Sequence, residues 1–178
     1  MVIKTNSYFS RSFLLAFLFL GAVLFAKDGA GKDDAAGFRG FPWGTGIEEF
    51  IGREGEPVSR ETVDGMVSLA YENKEMSGRA AYMLVYFSNA GLEGGAYYFL
   101  NKDLNEVMAC YRELQQTLVS QYGPGILMDE IIREMFPYES SWNPSGSYIH
   151  LKANTRTNEP VTLWYSSPAL TKKLLGNS

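Results

Sequence analysis

The strongest periodic pattern in the chain is an apolar stripe between Asn101 and Tyr122. Apolar side chains recur there three and four positions apart, which places them along one face of an α-helix. Gly123 and Pro124 follow the stripe, and such a pair commonly ends a helix. The pattern predicts a long amphipathic helix that packs across a sheet. The stripe consists of Leu104, Val107, Met108, Tyr111, Leu114, Leu118 and Tyr122.

Three strand patterns precede this helix. Apolar residues alternate from Val67 to Tyr71, and an unbroken apolar run extends from Ala80 to Phe87. A run of this kind predicts a central strand that is buried on both faces. A third, glycine-containing strand is predicted from Leu92 to Leu100. The short connections between the three favour an antiparallel meander.

A hairpin is predicted near the carboxyl end, formed by Tyr148–Ala153 and Val161–Ser166. Apolar residues alternate in both segments, so each strand has one apolar face. A turn centred on residues 155–158 brings Leu151 opposite Leu163 on the apolar face.

Two shorter helical patterns complete the set. Thr45 and Glu48 have the spacing of a capping box, in which two side chains satisfy the free amides at a helix start. The helix that follows is expected to end near Gly52 or Gly55. A second amphipathic stretch is predicted from Leu127 to Phe136.

The order of these elements indicates an α+β domain. We expect a single antiparallel sheet of five to six strands with the long amphipathic helix packed across one face. A tail from Pro168 is predicted to be helical to Leu175. Residues 38–178 form this single domain, and the small, charged residues 27–37 precede it as a flexible linker.

Residues 1–26 have the layout of a secretory signal peptide. Lys4 and Arg11 make a basic start, and the 15 residues from 12 to 26 carry no charge. This run is shorter than the ~20 residues of a membrane-spanning helix. We therefore expect cleavage before Lys27 and an exported protein, periplasmic or extracellular. In the alternative, residues 12–26 remain and anchor the protein in the inner membrane.

Composition excludes several classes of protein. The net charge is −4 and no basic run occurs, so binding to nucleic acid is disfavoured. The single cysteine, Cys110, cannot form an internal disulfide, and the 46% hydrophobic content supports a packed core without one. One cysteine and one histidine make no zinc ligand set, and we expect neither metal nor cofactor.

Catalytic candidates are few. His150 is the only histidine, and a catalytic histidine needs a nucleophile or an orienting acid beside it. Cys110 lies at the border of the helical stripe, where a buried structural role is expected. Asp129, Glu130 and Glu134 lie opposite the apolar side of their predicted helix, as a solvated face would. No catalytic residue is assigned.

The outer side of the hairpin is the candidate binding site. Tyr148, His150, Thr162 and Trp164 share one sheet face, with His150 opposite Trp164. An uncovered aromatic patch of this kind is typical of a binding surface. If one of the chain's own helices covers it, the same residues are ordinary core.

Short motifs give the chain a resemblance to uncharacterised small exported bacterial proteins. They are an F-x-G-x-P-W-G-T opening at Phe38–Thr45, Tyr-Gly-Pro closing the long helix, and the final I-x-L and V-x-L-x-Y hairpin. This resemblance extends over most of 38–167. The opening also resembles small envelope modules of the outer-membrane assembly lipoprotein and β-lactamase-inhibitor-like kind, although the chain lacks the lipid-bearing cysteine. The resemblance implies a non-enzymatic envelope protein.

These observations favour an exported, non-catalytic binding or assembly module of the bacterial envelope. Its expected partner is an envelope protein or a small ligand. The alternative is a small exported hydrolase that uses His150. A Ser, Cys or carboxylate oxygen within hydrogen-bond reach of His150 inside a cleft would favour the enzyme.

Overall fold

The computed structural model describes residues 37–101, 103–127, 138–154 and 159–175. This part of the chain contains ten strands and three α-helices. In chain order they are β1 (Gly37–Phe38), β2 (Phe41–Pro42), α1 (Ile47–Glu54), β3 (Ser59–Val63), β4 (Met66–Met76), β5 (Arg79–Ser88), β6 (Gly91–Phe99), α2 (Leu104–Tyr122), β7 (Ile126–Leu127), β8 (Tyr138–Trp142), β9 (Tyr148–Ala153), β10 (Val161–Ser166) and α3 (Pro168–Leu175).

Eight of these strands form one antiparallel sheet in the order β3-β4-β5-β6-β10-β9-β8-β7, and β1 pairs with β2 in a separate ribbon. The expected single sheet of five to six strands is therefore wrong, although the α+β class is right. The extra strands gave no apolar alternation in the sequence. All five residues of β3 are exposed, β7 has two residues, and β8 reads Tyr-Glu-Ser-Ser-Trp.

One face of the sheet, here called the inner face, is covered by α1, α2 and the β1–β2 ribbon. Helix α2 begins after Asp103, whose carboxylate accepts a hydrogen bond of 3.0 Å from the Glu106 amide. The predicted stripe is confirmed over most of the helix, but Leu104 is 49% exposed. The buried residues of α2 are Val107, Cys110, Tyr111, Leu114 and Leu118.

The predicted hairpin is confirmed in its register. Strands β9 and β10 pair Leu151 with Leu163 and His150 with Trp164. Leu151 and Leu163 are buried in the inner core. The turn between the strands, residues 155–158, lies outside the described residues.

Strand β5 differs from its prediction. Its side chains alternate between fully buried and half-buried, instead of being buried on both faces. In the described part of the chain only α3 packs on the opposite, outer face of the sheet, through Leu170. Burial is therefore complete only toward the inner face, at Ala81, Met83, Val85 and Phe87.

The amino-terminal ribbon is held against the start of β6. The Gly44 amide donates to the Leu92 carbonyl at 2.9 Å, and the Leu92 amide donates to the Thr45 carbonyl at 2.8 Å. The approach requires glycine at position 91, because a Cβ there would lie 2.1 Å from the Gly44 carbonyl oxygen. The opening segment is thus held to β6 by backbone hydrogen bonds.

The capping box predicted at Thr45 does not form. The Thr45 hydroxyl donates to the Pro42 carbonyl at 2.7 Å, and Gly46 is the N-cap of α1 without a side-chain hydrogen bond. The helix ends at Glu54, before Gly55, as expected.

Several expectations fall outside the described residues. These are the signal segment, most of the linker and the second helical stretch beyond Leu127, which includes Asp129, Glu130 and Glu134. Leu127 itself belongs to β7. None of the described helices is long and apolar enough to cross a membrane.

Candidate functional site

All four residues of the predicted site lie on the outer face, as alternation along the two strands requires. His150 stands between Ser141 on β8 and Trp164 on β10 in one cross-strand row. Thr162 and Tyr148 occupy the neighbouring rows of the same face.

Trp164 is covered by the chain itself. Its side chain is 7% exposed and forms a small cluster with Ala96, Tyr98 and Leu170 of α3. The Tyr86 ring lies 5.1 Å from the indole, centroid to centroid. Tyr148, His150 and Thr162 are half-buried. Trp164 therefore supports this face from within, and its neighbours form the surface.

The aromatic surface extends beyond the hairpin, onto strands β5 and β6. Tyr82 lies 6.4 Å from Tyr98, ring to ring, and Tyr86 lies against Trp164. In the sequence, Tyr82, Leu84 and Tyr86 stand at every second position of the apolar run, but the run does not show that this side is left half-covered. We call the following residues the aromatic face: Tyr82, Leu84, Tyr86, Tyr98, Tyr148 and Trp164.

Burial raises the pKa of tyrosines on this face above its ordinary value. It raises the pKa of Tyr86 to about 12 and also raises the pKa of Tyr98, and the two hydroxyls are hydrogen-bonded to each other. The pKa of Tyr82 is raised by burial and then by the negative charges of Glu72 and Glu61. These tyrosines remain uncharged well above neutral pH.

His150 is held by a carboxylate from β8. Its Nε2 atom pairs with Oε1 of Glu139, and the two side chains are 17% and 9% exposed. The imidazole also stacks on the Tyr148 ring at 5.8 Å. A histidine oriented by a carboxylate is one half of a catalytic arrangement.

The other half, a nucleophile, is not found among the described residues. No described hydroxyl or thiol is hydrogen-bonded to His150. Ser141 faces it across the strands, but Ser141 is hydrogen-bonded to Tyr148. Cys110 is buried in the inner core, where burial raises the pKa of its thiol to about 11. Among the described residues, the pair is therefore a hydrogen-bonded contact at the rim of the aromatic face.

A small groove borders the aromatic face beside α3. Its volume is about 230 Å³, below the roughly 300–1,000 Å³ of typical ligand pockets. The Glu93 carboxylate in it accepts hydrogen bonds from Ser88, at 2.9 Å, and from Ser167. The groove is lined by Met66, Ser88, Glu93, Ala169, Leu170 and Lys173. The described residues contain no cluster of three potential metal ligands.

A charge network stabilises the opposite, inner side. Arg39 donates to Glu54 at 3.0 Å and to the Tyr97 hydroxyl at 3.0 Å, and Lys74 contacts Glu54 at 3.1 Å. Burial opposes ionisation of Glu54, but the hydrogen bonds from Arg39 and Lys74 outweigh it and lower its pKa. Strand β4 has a bulge between Tyr71 and Lys74. The network ties this bulge to the ribbon and to α1, which is a structural role.

Comparison with known proteins gives limited similarity. No protein-family model and no curated protein matches the chain. One similar structure is an extracellular protein containing an SCP domain from Bacillus anthracis str. Ames, with 12% identity and a TM-score of 0.45, covering 84% of this chain and 52% of that one. Another is a cysteine-rich secretory protein from Staphylococcus aureus subsp. aureus Mu50, with 7% identity and a TM-score of 0.42, covering 79% and 46%. The chain spans about half the length of each. At this similarity, neither function nor site residues transfer to this chain.

Proposed function

We propose that this protein is an exported, non-catalytic binding or assembly module of the bacterial envelope, and that the aromatic face is its contact surface. The observation that carries the proposal is the grouping of half-buried Tyr82, Tyr86 and Tyr148 on a sheet face over buried Trp164. Tyrosine suits such a role, because its ring packs against a partner while its hydroxyl tolerates water.

The residues of the face have different roles in this proposal. Trp164 and Tyr98 hold the surface rigid from below, and Tyr82, Tyr86 and Tyr148 meet the partner. His150 and Thr162 lie at the rim, where the pairing of His150 with Glu139 fixes the imidazole. A rigid aromatic surface loses little side-chain entropy on binding. The groove beside the face has a volume of only about 230 Å³, which is small for a ligand pocket. This favours a protein partner over a small ligand, in keeping with the resemblance to envelope modules.

The contact surface is tested by a double variant, Tyr82→Ala/Tyr148→Ala. Chemical cross-linking in envelope extract should capture a specific partner with the native protein, and the double variant should capture at least about tenfold less. Val119→Ala, on the exposed side of α2, is the control and should capture as much as the native protein. Equal capture of the partner by the double variant and the control would contradict the claim that the aromatic face is the contact surface.

Export is tested separately. Mass spectrometry of the protein recovered from the envelope or the medium should find an amino terminus at Lys27. Full-length protein that stays with the inner membrane after a high-salt wash would support the anchor formed by residues 12–26 instead.

A second candidate is a small hydrolase, favoured by the carboxylate that holds His150. It predicts hydrolysis of p-nitrophenyl acetate or a peptide amide that is lost in both His150→Gln and Glu139→Gln. The binding module predicts that the native protein is no more active than His150→Gln. Val119→Ala serves again as the control for handling and folding.

A further inference from the structure

We infer that the partner of the aromatic face is a basic protein segment, whose Lys and Arg side chains contact Tyr82 and Tyr86 and pair with Glu61 and Glu72. This inference rests on the proposed function and adds the chemical class of the partner to it. It follows from the way the charged residues of β3, β4 and β5 are divided between the two faces of the sheet.

The basic residues of these three strands point to the inner side, and each is paired there. Arg60 pairs with Glu48 of α1 at 3.7 Å, and Lys74 pairs with Glu54 of the same helix at 3.1 Å. Arg79 of β5 pairs with Glu113 of α2 at 2.7 Å. No lysine or arginine of β3, β4 or β5 is left on the outer side.

Carboxylates occupy the outer side instead. Glu61 lies in the same cross-strand row as Ser68 and Tyr86. Glu72 lies in the bulge of β4 between Tyr71 and Lys74, and the β5 residue opposite this bulge is Tyr82 of the aromatic face. Both glutamates are exposed, and neither forms an ion pair within the described part of the chain. Both are near enough to Tyr82 to raise the pKa of its hydroxyl.

The basic residues that the structure describes on the outer side lie elsewhere. Lys152 is on β9, directly across from Glu139, and Lys173 belongs to the groove beside α3. The half of the aromatic face over β3, β4 and β5 therefore combines tyrosine rings with carboxylates that form no ion pair with another described residue.

This combination selects cations. The face of a tyrosine ring attracts an ammonium or guanidinium group, and a nearby carboxylate forms a charge-assisted hydrogen bond with the same group. Nucleic acids and anionic lipid surfaces are repelled by the same carboxylates and by the net charge of −4. A basic protein segment satisfies both the rings and the carboxylates.

A fluorescein-labelled octalysine peptide tests the inference on the purified exported protein at an ionic strength of about 0.1 M, where the Debye length is about 10 Å. We expect binding that the double variant Glu61→Gln/Glu72→Gln weakens about fivefold or more. The matched control is Glu49→Gln/Glu56→Gln, which removes the same charge from exposed positions on and after α1. The control should weaken binding less than about twofold, since distant charges are largely screened. Tyr82→Leu, which keeps an apolar side chain but removes the aromatic ring, should weaken binding about threefold.

Three results would overturn the inference: no binding of octalysine, equal weakening by the two double variants, or tighter binding to vesicles of phosphatidylglycerol and phosphatidylcholine. The cross-linking experiment keeps this failure separate from failure of the proposed function. Capture that still depends on Tyr82 and Tyr148 would leave the contact surface intact and retire only the basic partner. In the opposite case, octalysine binding depends on Glu61 and Glu72, but Tyr82→Ala/Tyr148→Ala captures as much partner as the native protein. That result would contradict the proposed contact surface.

Discussion

The two faces of the sheet are built from the same strands but are covered differently. On β5, Met83 and Val85 are fully buried against the inner layer, while Tyr82 and Tyr86 on the same strand are half-buried. The inner face lies under two helices and a ribbon, whereas in the described part of the chain α3 alone packs on the outer face.

The difference shows which residues hold the fold and which are available for contact. The inner face uses aliphatic and aromatic side chains that fill space, and its charges are paired with one another. The outer face uses tyrosine, which tolerates partial hydration. On one side it also carries glutamates that have no ion-pair partner among the described residues. Substitutions on the inner face should therefore affect stability, and those at the outer surface should affect binding.

Trp164 is the sharpest challenge to this division, because it is an outer-face residue that is buried. We expect Trp164→Ala to lower the free energy of unfolding by about 3–5 kcal/mol, since the indole fills a cluster under α3. Urea denaturation measures this change. A loss below about 1 kcal/mol would mean that the indole is exposed in solution and belongs to the contact surface itself.

The inner layer is tested at α2. Leu114→Ala should lower the free energy of unfolding by about 2–5 kcal/mol, because it removes a fully buried side chain and leaves a cavity. Gln116→Ala, on the exposed side of the same helix, should change it by no more than about half a kcal/mol. Similar losses at the two positions would show that the helix faces the sheet in a different rotation.

The inner charge network predicts a dependence on pH. Because the pKa of Glu54 is lowered in the folded state, its stabilising contribution is complete above the unfolded-state pKa and is lost as pH falls through the lower folded-state value. The stability difference between the native protein and Glu54→Gln should therefore narrow from pH 7 toward pH 3. Urea denaturation at both pH values measures it, and a constant difference would contradict the network.

Tyr82→Ala should affect stability much less than Trp164→Ala or Leu114→Ala. The ring is half-buried at the surface, so we expect a loss of about 1 kcal/mol in the free energy of unfolding. The same change should nevertheless weaken capture of the partner. A loss as large as that of Trp164→Ala would place Tyr82 in the core and remove the distinction between support and surface.

The sequence predicted the hairpin best. Its register followed from alternation around a turn of fixed length, so the pairing of His150 with Trp164 was predictable. The partner of His150 was not, because Glu139 lies on β8, a mostly polar strand without apolar alternation. Strand β3 was missed for the same reason, since its five residues are all exposed.

The aromatic face was predicted only in part. The sequence placed Tyr148 and Trp164 on this face because it predicted the hairpin that carries them. Tyr82 and Tyr86 were not included, because they belong to a run that is apolar throughout. Such a run indicates a central strand without showing that one of its faces is left half-covered. The coverage of a sheet face depends on where α3 packs, and this is a tertiary contact that local patterns do not record.

The most direct test of the account is hydroxyl-radical footprinting of the protein alone and with its captured partner. Oxidation of Tyr82, Tyr86 and Tyr148 should fall when the partner is added. Oxidation of Tyr122, which is half-buried on α2 in the inner layer, should not change. Protection of Tyr122 with unchanged oxidation of the three outer tyrosines would contradict the assignment of the aromatic face as the contact surface.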